Sequence, residues 1–356
     1  MPWQSRLADA FGPPTSADSP RCGCDAARPT RRPPTGRAAR RAYHGSMQPD
    51  ADTTERLDDA LRGFLAAAPF ADRGAVMTDL DGTAVHEHEG RIVIPQSVSH
   101  ALGELRSLGR PIVLNTLRFP LNVIRTFGRE WYEISNAPLP LVSLNGSVVG
   151  FLREGSGDTI EFEELSATPV PEPAWERVLA DLEGLLGAGL DDLVLFHYPR
   201  DWRAGERIWT PVESRRAALH ERYPSASEVA SGSLEQLAND LRGSEPCMLM
   251  VLIHADRDRL MAYQHARPNQ FVTAPGIDKA SGAERAARLL NFELGDSVGA
   301  GDTPMDSFLS SVGLAVRVGP LELPFRGRHA TLEVGDSLAL GELWFRLASE
   351  LRRSSH

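Results

Sequence analysis

Lysine is nearly missing from this 356-residue chain: of 38 basic side chains one, Lys279, is lysine, and all the others are arginine. A chain that writes arginine wherever a positive charge suffices, yet keeps one ammonium, points to a position needing a compact point charge and not a planar fork. Cysteine is scarce too. Cys22, Cys24 and Cys247 cannot build a disulfide framework at this length, which suits a reducing, cytoplasmic compartment. Cys22 and Cys24 lack a second pair of ligands at metal spacing and read as incidental. No apolar run approaches the ~18 residues of a membrane span, the longest being about Met248 to Ile253, which excludes ion pumps and other spanning proteins. A basic excess is also absent. The net charge of -10 argues against a nucleic-acid binder, leaving a small molecule as the expected partner.

Residues 1–50 carry eight arginines and four aspartates with almost no large aliphatic side chains, and read as a disordered tail. They lack the apolar stretch of a secretory signal. A basic targeting peptide or an over-long start with Met47 as initiator remain, and the second is the expectation. Order starts near Asp52, with Leu57, Leu61, Phe64 and Leu65 at helical spacing before Pro69. Short apolar runs at 75–78, 111–114, 139–143, 297–300, 314–318 and 331–334 then alternate with helical patterns, one of them near Met305 to Ser311. That rhythm predicts an α/β fold with a doubly wound, Rossmann-like parallel sheet over 51–149 and 275–356. Residues 150–274 mix hairpins with two helical patterns and predict an inserted α+β cap.

The chemistry gathers at strand ends. Asp79-Leu80-Asp81-Gly82-Thr83 places two carboxylates two positions apart after an apolar strand, so both aim to one side. Gly82 permits a sharp turn beside a bound anion. An ionised Asp79 can attack phosphorus and hold the phosphoryl group, while Asp81 can carry the proton. Downstream, Gly301-Asp302-Thr303-Pro304-Met305-Asp306 places two more carboxylates after a short run, and such a set calls for a divalent cation, Mg²⁺ being the natural occupant. Thr116 and Lys279 stand between these clusters as candidate ligands for phosphate oxygens.

These residues resemble the four motifs of the haloacid-dehalogenase-like (HAD) hydrolases: Asp79 to Thr83, Thr116 with Arg118, Lys279 in Gly276-Ile277-Asp278-Lys279, and Gly301-Asp302 with Asp306. The insertion between the second and third motifs is similar to the type IIB cap of Cof-like and sugar-phosphate phosphatases. The resemblance implies Asp79 as nucleophile, Asp81 as acid/base, and Thr116 and Lys279 as phosphate ligands. It implies a Mg²⁺ shell of Asp79, the Asp81 carbonyl and Asp302, with Asp306 at or just behind it. It also sets Asn145-Gly146 near the substrate. Two positions depart from the pattern, Leu117 where glycine is usual and Met305 where asparagine is usual.

The expected function is a Mg²⁺-dependent phosphomonoesterase for a small, sugar-like phosphate, working through an aspartyl-phosphate. A phosphomutase using the same site is the first alternative. The second is a weakly catalytic regulatory protein that binds a phosphorylated metabolite, which Leu117 and Met305 keep open. His86-Glu87-His88-Glu89 alternates like a metal cluster, but an exposed hairpin after the first motif is the reading adopted. Within the insertion, Arg200 and Arg203 around Trp202 suit a sugar or a second anionic group, and a solvated hairpin tip explains the same residues.

Overall fold

In the computed structural model the described residues are 51–88, 91–135, 138–253 and 271–354. The tail 1–50 with Cys22, Cys24 and Met47, Glu89 of the His-Glu run, and His254 therefore lie outside them. Two units divide the chain, Met1–Thr54 and Glu55–His356, and the fold described is that of the second.

After helix α1 (Ala51–Ala67) and the single turn α2 (Phe70–Arg73), strand β1 (Val76–Thr78) enters the centre of an eight-stranded sheet. The hairpin β2 (His86–His88) and β3 (Arg91–Val93) follows, then α3 (Gln96–Ser107), β4 (Ile112–Asn115), α4 (Pro120–Ser135) and β5 (Leu139–Ser143). β6 (Val148–Glu154) and β7 (Ile160–Ala167) run antiparallel beyond β5. A second sheet comprises β8 (Leu193–Tyr198), β9 (Arg207–Thr210), β10 (Glu228–Ser231), β11 (Met248–Ile253) and β12 (Phe271–Val272). With it go helices α5 (Glu172–Gly187), α6 (Arg216–Arg222) and α7 (Leu234–Ser244). The chain returns to the first sheet through α8 (Lys279–Leu290), β13 (Val298–Gly301), β14 (Leu314–Val318), β15 (Ala330–Val334) and α9 (Ser337–Ser354).

The strand order is β15-β14-β13-β1-β4-β5-β6-β7, parallel from β15 to β5. Met77, Val113, Val142 and Ala315 turn one face toward Ala283, Ala286 and Phe308. Their strand neighbours Val76, Ile112, Leu114 and Leu141 are buried on the opposite face, as the two-residue period requires. Small residues let α8 lie close: a Cβ on Gly282 would stand 2.5 Å from Gly146 Cα. β1 sits between β4 and β13, so the chain leaves it in opposite directions on its two sides, and the loops there splay apart at their carboxyl ends.

Two expectations are corrected, and two elements went unpredicted. β6 and β7, placed by sequence in the insertion from residue 150, pair with the first sheet, so the second sheet's own elements run from Glu172 to Val272. The helix expected near Met305 is a single 3-10 turn, Ser307–Ser310. The β10 strand and α7 went unpredicted, although Ser233 and Gln236 form a reciprocal capping box at the start of α7. The hairpin reading of His86 to His88 agrees with the β2/β3 pairing, and His86 Nδ1 meets Ser337 Oγ at 2.8 Å.

Candidate active site

Asp79 is the first residue beyond β1, and its backbone N–H donates to Ala300 O of β13 at 3.0 Å. Asp302 is the first residue beyond β13, and Thr116 the first beyond β4. Three adjacent strands therefore present these side chains at one edge. The Leu80–Val85 loop turns tightly, with the N–H groups of Thr83, Ala84 and Val85 all donating to Leu80 O. Gly82 is required in that turn, with φ +75° and a position where a Cβ would lie 2.3 Å from Asp302 Oδ2.

At the centre lies Lys279, 1% exposed, with its ammonium 2.8 Å from Asp79 Oδ1 and 2.7 Å from Asp306 Oδ1. It is the first residue of α8, whose N-cap Asp278 accepts from Ser281 N and receives the Ser281 hydroxyl's reciprocal support. Asp306 spends its other oxygen on the loop, accepting from Asp302 N, Thr303 N and Thr303 Oγ1 at 3.0, 2.8 and 3.1 Å. Asp302 Oδ1 accepts from Thr83 Oγ1 at 2.9 Å. One carboxylate oxygen each from Asp79, Asp302 and Asp306 lie within 4.8 Å of one another.

Three carboxylates against one ammonium leave two negative charges in a nearly closed pocket. Burial pushes Asp79 well above its ordinary range; Lys279 pulls it down, and Asp306 and Asp302 push it up again. Asp302 rises to about 6, from burial and then Asp306. Burial opposes the Lys279 charge, but Asp306 and Asp79 outweigh it and the ammonium is held more firmly than usual. An excess of two negative charges on hard oxygen ligands fits a divalent metal ion, and the carboxylates of Asp79, Asp302 and Asp306 lie close enough together to hold one. Asp306 also orders the loop and Lys279, since both its oxygens accept hydrogen bonds from them.

Asp81 lies outside the carboxylate cluster and meets Arg118, whose Nε and Nη2 each donate to it at 2.7 Å. The guanidinium also covers the Phe127 ring at 5.3 Å. Thr116 is buried, its N–H donating to Val142 O and its Oγ1 accepting from Arg118 N at 3.1 Å, leaving the hydroxyl proton to donate elsewhere. Asn145 stands beside it in a turn with φ +54°, its N–H 3.4 Å from Thr116 O. Gly146, φ +91°, lets this turn press against α8: a Cβ there would fall 2.0 Å from Asp278 O.

Arg200 and Arg203 are not brought to this edge. Arg200 pairs with Glu164 at 3.0 Å and Arg203 with Glu161 at 3.5 Å, both acids on β7, the outermost strand. They line a crevice of about 1000 Å³ beside that strand, where each guanidinium already has a carboxylate. The two pairs tie the second sheet to β7 of the first. Sequence reasoning also passed over Asn115, fully buried, whose Nδ2 donates to Lys279 O at 3.0 Å, and gave no role to Thr83. The only sign of Asn115 was a polar residue ending an apolar strand.

No family model and no curated protein sequence matches the chain. Solved structures do. A phosphatase of the haloalkanoate (HAD) enzyme superfamily from Bacteroides thetaiotaomicron is 16% identical over 78% of this chain and 96% of its own, with TM-score 0.54. A sugar phosphatase of HAD subclass IIB is 17% identical over 79% and 99%, also at 0.54. A haloacid dehalogenase-like hydrolase from Bacteroides thetaiotaomicron is 15% identical over 80% and 100%, at 0.52. At such identities the likeness establishes the fold: the chain has the HAD-type architecture, a Rossmann-like core with a further cap-like sheet.

Proposed function

We propose that this protein is a Mg²⁺-dependent phosphomonoesterase that passes through an aspartyl-phosphate on Asp79 and accepts a small, sugar-like phosphate. One observation carries the proposal: the buried ammonium of Lys279 links Asp79 to Asp306 beside Asp302, at the strand edge where the sheet order reverses. Sugar phosphatase activity in a subclass IIB protein of the same fold supports the substrate class.

Asp79 attacks the phosphorus while the leaving oxygen takes a proton from Asp81, yielding the alcohol and a phosphoryl group on Asp79. Asp81, now ionised, takes a proton from water as that water attacks the same phosphorus; phosphate leaves and Asp79 is restored. Arg118 fixes the direction of the Asp81 carboxylate through its paired donors. Lys279 and the Thr116 hydroxyl bind the non-bridging oxygens, where charge builds in the transition state. Mg²⁺, when bound, neutralises charge between the carboxylates and the phosphate. The elements from Glu172 to Val272 form the cap that selects the leaving group and keeps bulk water out.

The test is phosphate release from a panel of sugar phosphates with Mg²⁺ and with chelator. Release confined to the Mg²⁺ arm and lost in Asp79→Asn supports the proposal; metal-independent release, or full activity in Asp79→Asn, ends it.

A further inference from the structure

A second buried carboxylate stands away from the phosphate pocket. Glu206, just before β9 in the cap-like unit, is 2% exposed. Its Oε2 accepts from Asn122 Nδ2 at 3.4 Å and its Oε1 from Ser225 Oγ at 3.2 Å. The buried Tyr198 phenol of β8 faces the same carboxylate, as does the charge of Arg125. Tyr223 lies near enough for Glu206 to act on it. Burial raises Glu206, and the facing Tyr198 phenol, the bonds from Ser225 and Asn122, and the charge of Arg125 oppose the rise. A carboxylate in such a place is costly unless donors surround it, and breaking its bonds strands them.

The donors come from both sides of a seam. Tyr198, Ser225 and Glu206 belong to the cap-like unit, whereas Asn122 and Arg125 lie in the first turns of α4. Other contacts cross at the same place: Phe119 and Tyr198 rings stand 5.8 Å apart, Arg125 Nη1 donates to Ser225 O at 3.2 Å, and Gly205 lies against Leu121. Every core residue here falls within 119–125, the segment that directly continues from Thr116 and Arg118. On its other side the 116–118 loop is held by Ser143 Oγ, which donates to Arg118 O at 2.5 Å. The loop that aims Arg118 at Asp81 is thus held by the core at Thr116 and Arg118 and runs directly into the segment that the cap contacts.

We propose that Glu206 is a positioning residue: through Asn122 it ties the cap to the start of α4, and so makes the placement of Thr116 and Arg118 depend on where the cap sits. This rests on the phosphatase reading for its consequence, but not for its geometry. The experiment compares wild type, Glu206→Leu, Glu206→Gln, Asn122→Ala and the Leu/Ala double variant, using p-nitrophenyl phosphate with Mg²⁺ and, separately, amide hydrogen exchange. Each of Glu206→Leu and Asn122→Ala is expected to lower kcat about tenfold with KM within about threefold, and the double to lower it no further. Glu206→Gln, which keeps an acceptor for Asn122, restores most of kcat. Amides in 116–127 exchange about tenfold faster in both single variants.

Unchanged exchange in 116–127, or kcat losses that multiply in the double variant, overturn the proposal. So does a Glu206→Leu effect confined to melting temperature. Should Glu206→Leu fail to fold, Asn122→Ala, on a half-buried helical position that tolerates alanine, still decides it. A wild type inert toward the probe sinks the phosphatase reading instead, and the exchange result then decides the coupling by itself.

Discussion

Replacing Lys279 by methionine keeps the side-chain length and removes the charge. In the wild type the ammonium is 2.8 and 2.7 Å from two carboxylates and 1% exposed, so the variant leaves a cluster of three acids, two of them buried, with no cation. Losing one partner of a buried ion pair costs about 3–5 kcal/mol, and at about 2 °C per kcal/mol the melting temperature falls by roughly 6–10 °C. The pH dependence identifies the cause. The Lys279 pKa is raised, so its stabilisation is fully present below the ordinary lysine pKa and is lost as pH rises from there through the raised value. At the acid end the partners decide: Asp79 is raised and Asp302 lies at about 6, so falling pH protonates them and removes the repulsion. The deficit in metal-free protein should be large at pH 8 and small at pH 5. Mg²⁺ should raise the melting temperature of the variant more than that of wild type, because three uncompensated negative charges attract it more than two. Activity should fall about 10²–10³-fold with the loss of a donor to the transition state. Differential scanning calorimetry at pH 5 and 8, with and without Mg²⁺, reads all but the last. An unchanged melting temperature at pH 8, or the same deficit at both pH values, refutes the reasoning.

Three further outcomes are expected. Gly82→Ala puts a methyl within 2.3 Å of Asp302 Oδ2 at φ +75° and should weaken Mg²⁺ binding at least about tenfold by titration calorimetry, with the fold intact by circular dichroism. Because Asp302 is raised from 3.8 to about 6, its ionised form is present above that value and lost below it; Mg²⁺ affinity should fall at least about tenfold per pH unit below 6, and a flat profile contradicts this. Arg118→Met frees Asp81 from two bonds of 2.7 Å; kcat should drop about 10–100-fold with Mg²⁺ affinity unchanged, and an equal loss of both places Arg118 at the metal instead.

The strand-end acids were legible because each lies directly after an apolar run, and a parallel sheet brings such ends to one edge whatever the loops between them do. Lys279 was legible by its rarity. What sequence could not show was pairing. The turn between β6 and β7 marks a hairpin, but nothing local says that the hairpin extends the sheet of β5 and not the sheet of β8. Arg200 and Arg203 read equally well as ligands or as surface, because Glu161 and Glu164, which claim them, lie some forty residues earlier. Glu206 showed no signal at all: one glutamate among many becomes a buried group only when the seam forms around it. α7 was a miss of another kind, since its Ser233-x-x-Gln236 cap stood in plain sequence.

The claim on which the rest depends is that the Asp79 carboxylate itself takes the phosphoryl group. Acid-quenching the Mg²⁺-loaded protein within the first turnover of a phosphomonoester, followed by peptide mass mapping, tests it directly. The account predicts a phosphoryl adduct on the peptide containing Asp79, absent in Asp79→Asn. Phosphate release in the first turnover with no adduct on that peptide, or an adduct on another residue, would contradict it.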